Sequence, residues 1–100
     1  MRRYRLSPAA RVDLEAIWDY TADQWSVDQA ERFARNIQDA LDLLTSGVRK
    51  GRKIDTVRHD YLQFPVGSHL IVFRQSEGVI DVIRILHRRM EIESHLEDEA

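Results

Sequence analysis

Two amphipathic helical patterns stand back to back in the first half of this chain, and the gap between them is too short for anything but a turn. In the first, Ala10, Leu14, Ile17, Thr21 and Trp25 recur at three- and four-residue spacing with Trp18 beside them, while Arg11, Glu15 and Asp19 fall four apart on another face. Ser7-Pro8 supplies an N-cap and a first-turn proline, whose missing N–H costs nothing there. The spacing predicts a helix of about 17 residues. Ser26 with Gln29 then makes a capping box that restarts the chain as a second helix. Its apolar face is Ala30, Phe33, Ala34, Ile37, Leu41 and Leu44, its far side Glu31, Arg35 and Asp39, and Gly47 stands where a left-handed C′ residue is wanted. So short a connection predicts an antiparallel helical hairpin.

The second half changes period. Residues 48–58 are basic, show no clear repeat and read as a surface loop. Three strand-like runs follow, Tyr61–Pro65, His69–Gln75 and Val79–His87, separated by Gly67-Ser68 and Ser76-Glu77-Gly78, which is hairpin chemistry. The last run is apolar on both faces, as a central strand is, with Asp81 and Arg84 interrupting opposite faces. Pro65 can give no ladder hydrogen bond and belongs at a strand end or edge. Arg3-Tyr4-Arg5-Leu6 alternates and predicts a short N-terminal strand, Ile92 to Leu96 a short C-terminal helix, and residues 97–100 a frayed tail. The order β-α-α-β-β-β predicts one α+β domain over residues 1–100, with the helical hairpin packed on a small antiparallel sheet whose other face has no obvious cover.

Composition removes several classes of function. With 43% apolar and 32% charged side chains in 100 residues, the chain has enough apolar surface for a core. It contains no run of 18 apolar residues and no signal-like stretch after Met1-Arg2-Arg3-Tyr4-Arg5, so no membrane partner is expected and the expected location is the cytoplasm. Without cysteine there is no disulfide, thiolate metal site or cysteine nucleophile. No glycine-rich phosphate loop occurs, and His59, His69, His87 and His95 form no helical metal-binding pair. Ser7, Ser26, Ser46, Ser68, Ser76 and Ser94 are accounted for by caps and turns. No cofactor, metal or catalytic residue is expected. Residues 8–46 carry eight Asp/Glu against three Arg, the wrong balance for a groove-reading helix-turn-helix, so direct sequence-specific nucleic-acid binding is not expected either.

The net charge of −2 conceals an asymmetry. Residues 49–90 carry nine Lys/Arg against four acids, and residues 91–100 carry five acids and no Lys/Arg. Thirteen of the 15 basic residues are Arg, the side chain suited to bidentate recognition of phosphate or carboxylate. Either a solvated sheet edge or a basic platform for an anionic partner fits this pattern. At the end of the last strand Arg84, His87, Arg88, Arg89 and then His95 gather, with alternation placing Arg84 and Leu86 on one face and His87 on the other. Such groups can do acid/base and charge-stabilising work on a phosphodiester. The favoured account is structural, with Arg74 and Arg84 tied to Asp81 or Glu77 across strands. Trp18, Trp25, Phe33, Phe64 and Phe73 are most simply core. Wide apolar stripes (Trp18 and Tyr20 beside Ile17, Ala30 beside Phe33) nevertheless leave room for a groove on the hairpin that accepts a partner helix.

The segments Leu6-Ser7-Pro8-Ala9-Ala10, Asp13-Leu14, Ile17-Trp18-Asp19-Tyr20, Trp25-Ser26-Val27-Asp28-Gln29-Ala30, Phe64-Pro65-Val66-Gly67-Ser68-His69 and Val82-Ile83-Arg84-Ile85-Leu86-His87-Arg88-Arg89-Met90, in this order, resemble the ParE toxins of bacterial type II toxin–antitoxin systems. The resemblance runs from about residue 3 to residue 96. It implies the RelE/ParE fold, a ParD-like antitoxin that wraps and neutralises the toxin, and poisoning of DNA gyrase without enzymatic activity. Two departures stand out: Ser26 replaces the Gly of many relatives, which an N-cap tolerates, and the loop after the second helix lacks an expected proline. The antitoxin contact implied is an amphipathic segment on Leu14, Trp18 and Phe33, with acidic antitoxin residues meeting Arg58, Arg74 or Arg88. The alternative is the related RelE branch, ribosome-dependent endoribonucleases of messenger RNA that use basic residues on the sheet, an Arg near the last strand's end and a C-terminal Tyr. Carried onto this chain, those roles fall to Arg88 or Arg89 with His95. No Tyr follows Tyr61, which argues against nuclease chemistry.

Overall fold

The computed structural model describes residues 3–54 and 60–89; the expectations placed on Arg58, His95 and the 92–96 helix lie outside them. Strand β1 (Tyr4–Leu6) leads into α1 (Pro8–Gln24) and α2 (Val27–Thr45), followed by β2 (Arg52–Lys53), β3 (Tyr61–Val66), β4 (His69–Ser76) and β5 (Val79–His87). Both helices begin at their serines. Ser7 Oγ accepts the Ala10 N–H and Ser26 Oγ the Gln29 N–H, each at 3.0 Å. Only half of the expected capping box forms, because the Ser26 N–H turns back to the Thr21 carbonyl at 3.2 Å.

The sheet runs β1-β5-β4-β3-β2. Its β2–β5 portion is an antiparallel meander, but β1 lies parallel to β5, Tyr4 opposite Ile80 and Leu6 opposite Val82, so the sheet is mixed and not wholly antiparallel. The reason is connectivity. No hairpin joins β1 to β5, so β1's direction is set by where it must deliver the chain to α1. Strand β2 falls in what reads as loop; two residues cannot display a period. The hairpins use the turns their sequences dictate. Glu77 and Gly78 both have positive φ (51° and 79°), the type I′ requirement, and Gly67 (59°) fills the first loop position of the other. Pro65 sits in β3 beyond the reach of β2, where its missing N–H costs no ladder bond on that side.

The core forms where the hairpin covers one sheet face. Ala10, Ile37, Ala40, Leu41 and Leu44 pack on Ile71, Phe73, Ile80, Val82 and Ile85. Ala34, expected on that face, is exposed, and Ala40 takes the inward position. Trp25 is 76% exposed and not core, because α1 ends at Gln24 and the capping residue swings off the helical line. The opposite sheet face is not bare. Ile54, Tyr61, Val72 and Leu86 form a second, smaller cluster, each no more than 8% exposed.

Candidate functional site

The site starts from a defect in β5. Phe73 pairs with Val82 and Val72 with Arg84, so the ladder passes over Ile83: a β-bulge. The start of α1 is fastened to it. The Ser7 N–H donates to the Val82 carbonyl (2.9 Å) and the Ser7 hydroxyl to the Ile83 carbonyl (2.6 Å). One turn on, the Asp13 carboxylate accepts Arg84 Nε at 2.8 Å, Arg84 Nη2 at 3.0 Å and the Ile85 N–H at 2.9 Å. Arg84 is thus bound to a helix carboxylate, while Asp81 accepts from Arg5 Nε at 2.8 Å. The expected cross-strand tie of Arg84 to Asp81 or Glu77 is replaced by these pairs. A strand-only view misses Asp13, since the contact spans 71 positions.

Beyond the bulge, β5 places His87 directly across from His69, with the rings 5.4 Å apart and edge-on. Val66 of β3 continues the same row. Phe33 of α2 stacks obliquely on His69 at 5.1 Å. Burial, and secondarily the neighbouring His87, holds His69 below the ordinary histidine pKa. The Arg89 N–H donates to His87 Nδ1 at 3.1 Å, which leaves Nε2 to carry the proton of the neutral ring. The Arg88 N–H closes this end of the sheet on the Ser68 carbonyl (2.8 Å). Phe33, His69 and His87, with Ile17, Tyr20 and Trp25, line a groove of about 560 Å³ between the hairpin and the sheet end. Tyr20 is 65% exposed on it. Large aromatic side chains left in solvent beside a concave apolar floor are a signature of a protein-binding surface.

The residues expected to meet a partner do not share one surface. Phe33 lines the groove, and exposed Arg88 lies at its end. Leu14 packs against the core, and Trp18 is half-buried on α1 but does not line the groove. Arg74 is exposed on the face away from the helices, roughly 17 Å along β4 from His69 at about 3.3 Å per residue. There it stands in register between Tyr61 and Asp81, and with Arg3, Arg5, Asp60 and Glu77 it lines a shallow depression of mixed charge. Exposed Arg89 follows Arg88 in the turn after β5. Sequence reasoning missed His69 and Arg32 as groove residues. The two-residue Gly67-Ser68 turn does place Val66 opposite His69, but nothing local announces His87 as the third member of the row.

Comparison with known proteins agrees with this architecture. Residues 4–92 match the family model described as ParE toxin of type II toxin-antitoxin system, parDE. The chain is 47% identical over 95 residues to a protein named toxin ParE1 of Mycobacterium tuberculosis, covering 94% of this chain and 97% of that one. It is 34% identical over 96 residues to toxin ParE1 of Caulobacter vibrioides, covering 96% and 99%. A solved structure titled chromosomal ParDE TA system from P. aeruginosa superposes with a TM-score of 0.71 at 18% identity, over 87% of this chain and 96% of that one.

Proposed function

The chain belongs to the ParE toxin family of type II toxin–antitoxin systems, and from that premise we propose that it arrests growth by binding DNA gyrase, is neutralised by a ParD-like antitoxin and works in the cytoplasm. The observation that carries the proposal is the family match itself, which spans nearly the whole chain. Two features of the molecule support it. The groove beside Phe33 is shaped and lined for an amphipathic segment, the form in which an antitoxin would engage it. Arg74 lies on the other sheet face, so an antitoxin that met both would have to wrap the sheet edge. Action by binding and not by catalysis is favoured by the absence of any Tyr after Tyr61 in this sequence.

The test is a supercoiling assay. Purified toxin added to gyrase and relaxed plasmid is expected to block supercoiling or trap cleaved DNA, and the co-expressed antitoxin to reverse the effect. Unchanged supercoiling at saturating toxin would overturn gyrase as the target. Codon-phased cleavage of messages after induction, lost in Arg89→Ala or His95→Ala, would replace the proposal with the endoribonuclease reading.

A further inference from the structure

The groove is electrostatically one-sided. Among the described residues that line it, Arg32 of α2, His69 of β4 and His87 of β5 can carry positive charge; no carboxylate does so, and Tyr20 of α1 is the other titratable group. Arg88 and Arg89 follow His87 directly, and both are exposed. An apolar floor walled, among the described residues, by basic and neutral polar groups without a carboxylate is the complement of an amphipathic segment that carries an Asp or Glu among its apolar residues. The histidines are the part of that wall whose charge depends on pH. As cross-strand partners with rings 5.4 Å apart, they form one recognition element and not two separate side chains.

We propose that His69 and His87 together seat a carboxylate of the antitoxin segment in this groove, and that antitoxin affinity therefore rises as pH falls. This rests on the reading that the chain is held by a ParD-like antitoxin. In the free protein His69 resists charging, because it is partly buried and because His87 stands beside it. A docked carboxylate offsets both penalties with a direct counter-charge. Bound His69 then holds its proton to higher pH than in the free protein, and by linkage each proton taken up on docking tightens binding by at most about tenfold per pH unit.

The experiment titrates a cognate ParD-like antitoxin onto the whole toxin by calorimetry, from about pH 8 to about pH 5.5, in buffers of different ionisation enthalpy. Binding is expected to tighten about tenfold over that range, with uptake of up to about one proton. His69→Gln and His87→Gln are each expected to flatten the dependence while leaving a complex. Because either variant could lose stability, ring-proton NMR of the wild-type protein supplies a second readout: the His69 ring should titrate at higher pH in the complex than in the free toxin. A complex whose Kd and ring titrations ignore pH would overturn the carboxylate seat and leave the antitoxin reading standing. So would a pH dependence that survives both variants. Failure to form a complex at any pH would refute the antitoxin reading, and this inference with it.

Discussion

Asp13→Ala removes the one carboxylate that fastens α1 to the β5 bulge, and its cost follows from the geometry. Three hydrogen bonds of 2.8, 3.0 and 2.9 Å end on that group, two from Arg84 and one from the Ile85 backbone. The side chains of Arg84 and Asp13 are only 17% and 13% exposed. Removing one member of a buried pair costs about 3–5 kcal/mol, most of it the weakened compensation of a partly desolvated charge. The three bonds share one carboxylate, so their separate values do not add, and the residual exposure of both side chains points to the lower end, about 3 kcal/mol. Against a total stability of about 5–15 kcal/mol that is a large fraction. For a chain of this size it corresponds to a fall in Tm of about 12–24 °C.

Two companion variants separate the charge from the contact. Asp13→Asn keeps the shape and one acceptor for the Ile85 N–H, so its cost should be about 1–2 kcal/mol. Asp13→Ala with Arg84→Met removes the cation along with the anion and should be less damaging than Asp13→Ala alone, with a coupling of about 2 kcal/mol between the positions. With Arg84→Met alone as the fourth protein, urea and thermal unfolding followed by circular dichroism would give all four corners of the cycle. An Asp13→Ala protein that melts within about 4 °C of the parent, or a coupling below about 0.5 kcal/mol, would show that the pair is a surface decoration and that α1 is held by packing alone.

Gly51→Ala should destabilise despite its small size, because the new Cβ would lie 2.5 Å from Phe73 Cζ and 3.0 Å from Leu62 Cβ, and Phe73 is fully buried. Overpacking of about 1–3 kcal/mol exceeds the roughly 0.4–1 kcal/mol gained by stiffening the unfolded chain, and an unchanged or higher Tm would disprove the close approach. The free toxin should also lose stability on acidification through His69. Its folded pKa lies below the unfolded value of 6.5, so the unfolded chain takes its proton first. This contribution is whole above about pH 6.5 and is lost as pH falls toward the lowered folded value. His69→Gln should flatten Tm against pH between about 5.5 and 7.5, the reverse of what would follow if His69 were charge-stabilised in the free protein.

Local signals account for what was legible. Ser7-Pro8 and Ser26 start helices because each serine hydroxyl meets an orphan N–H three residues on, and Val79–His87 reads as a strand end to end because turn residues bracket it. The misses are cases where a partner elsewhere in the chain decides. Trp25 continues the spacing of α1 but not its helix. Lys53 belongs to a strand only because Leu62 lies across from it. Of the expected contact residues, Phe33 came to the groove because helical period places it beside the inward face, whereas Arg74 went to the far face because strand alternation sends it opposite to Phe73.

The bulge was illegible for a sharper reason, and both sites depend on it. Strict alternation from Val82, which faces the helices, would turn Arg84 and Leu86 toward the hairpin and Ile85 and His87 away from it. Instead Ile85 pairs with Ile71 in the helix-facing core and His87 pairs with His69 beside Phe33, while Leu86 joins the opposite cluster. One passed-over residue reverses the parity of everything after it. A strand apolar on both faces fits either parity equally well, so its side chains could not announce the shift. What selects the observed parity lies across the chain: Ser7 bonds to the bulge carbonyl and Asp13 takes the Ile85 N–H. The tether at the start of α1 and the histidine row in the groove are therefore two consequences of the same irregularity.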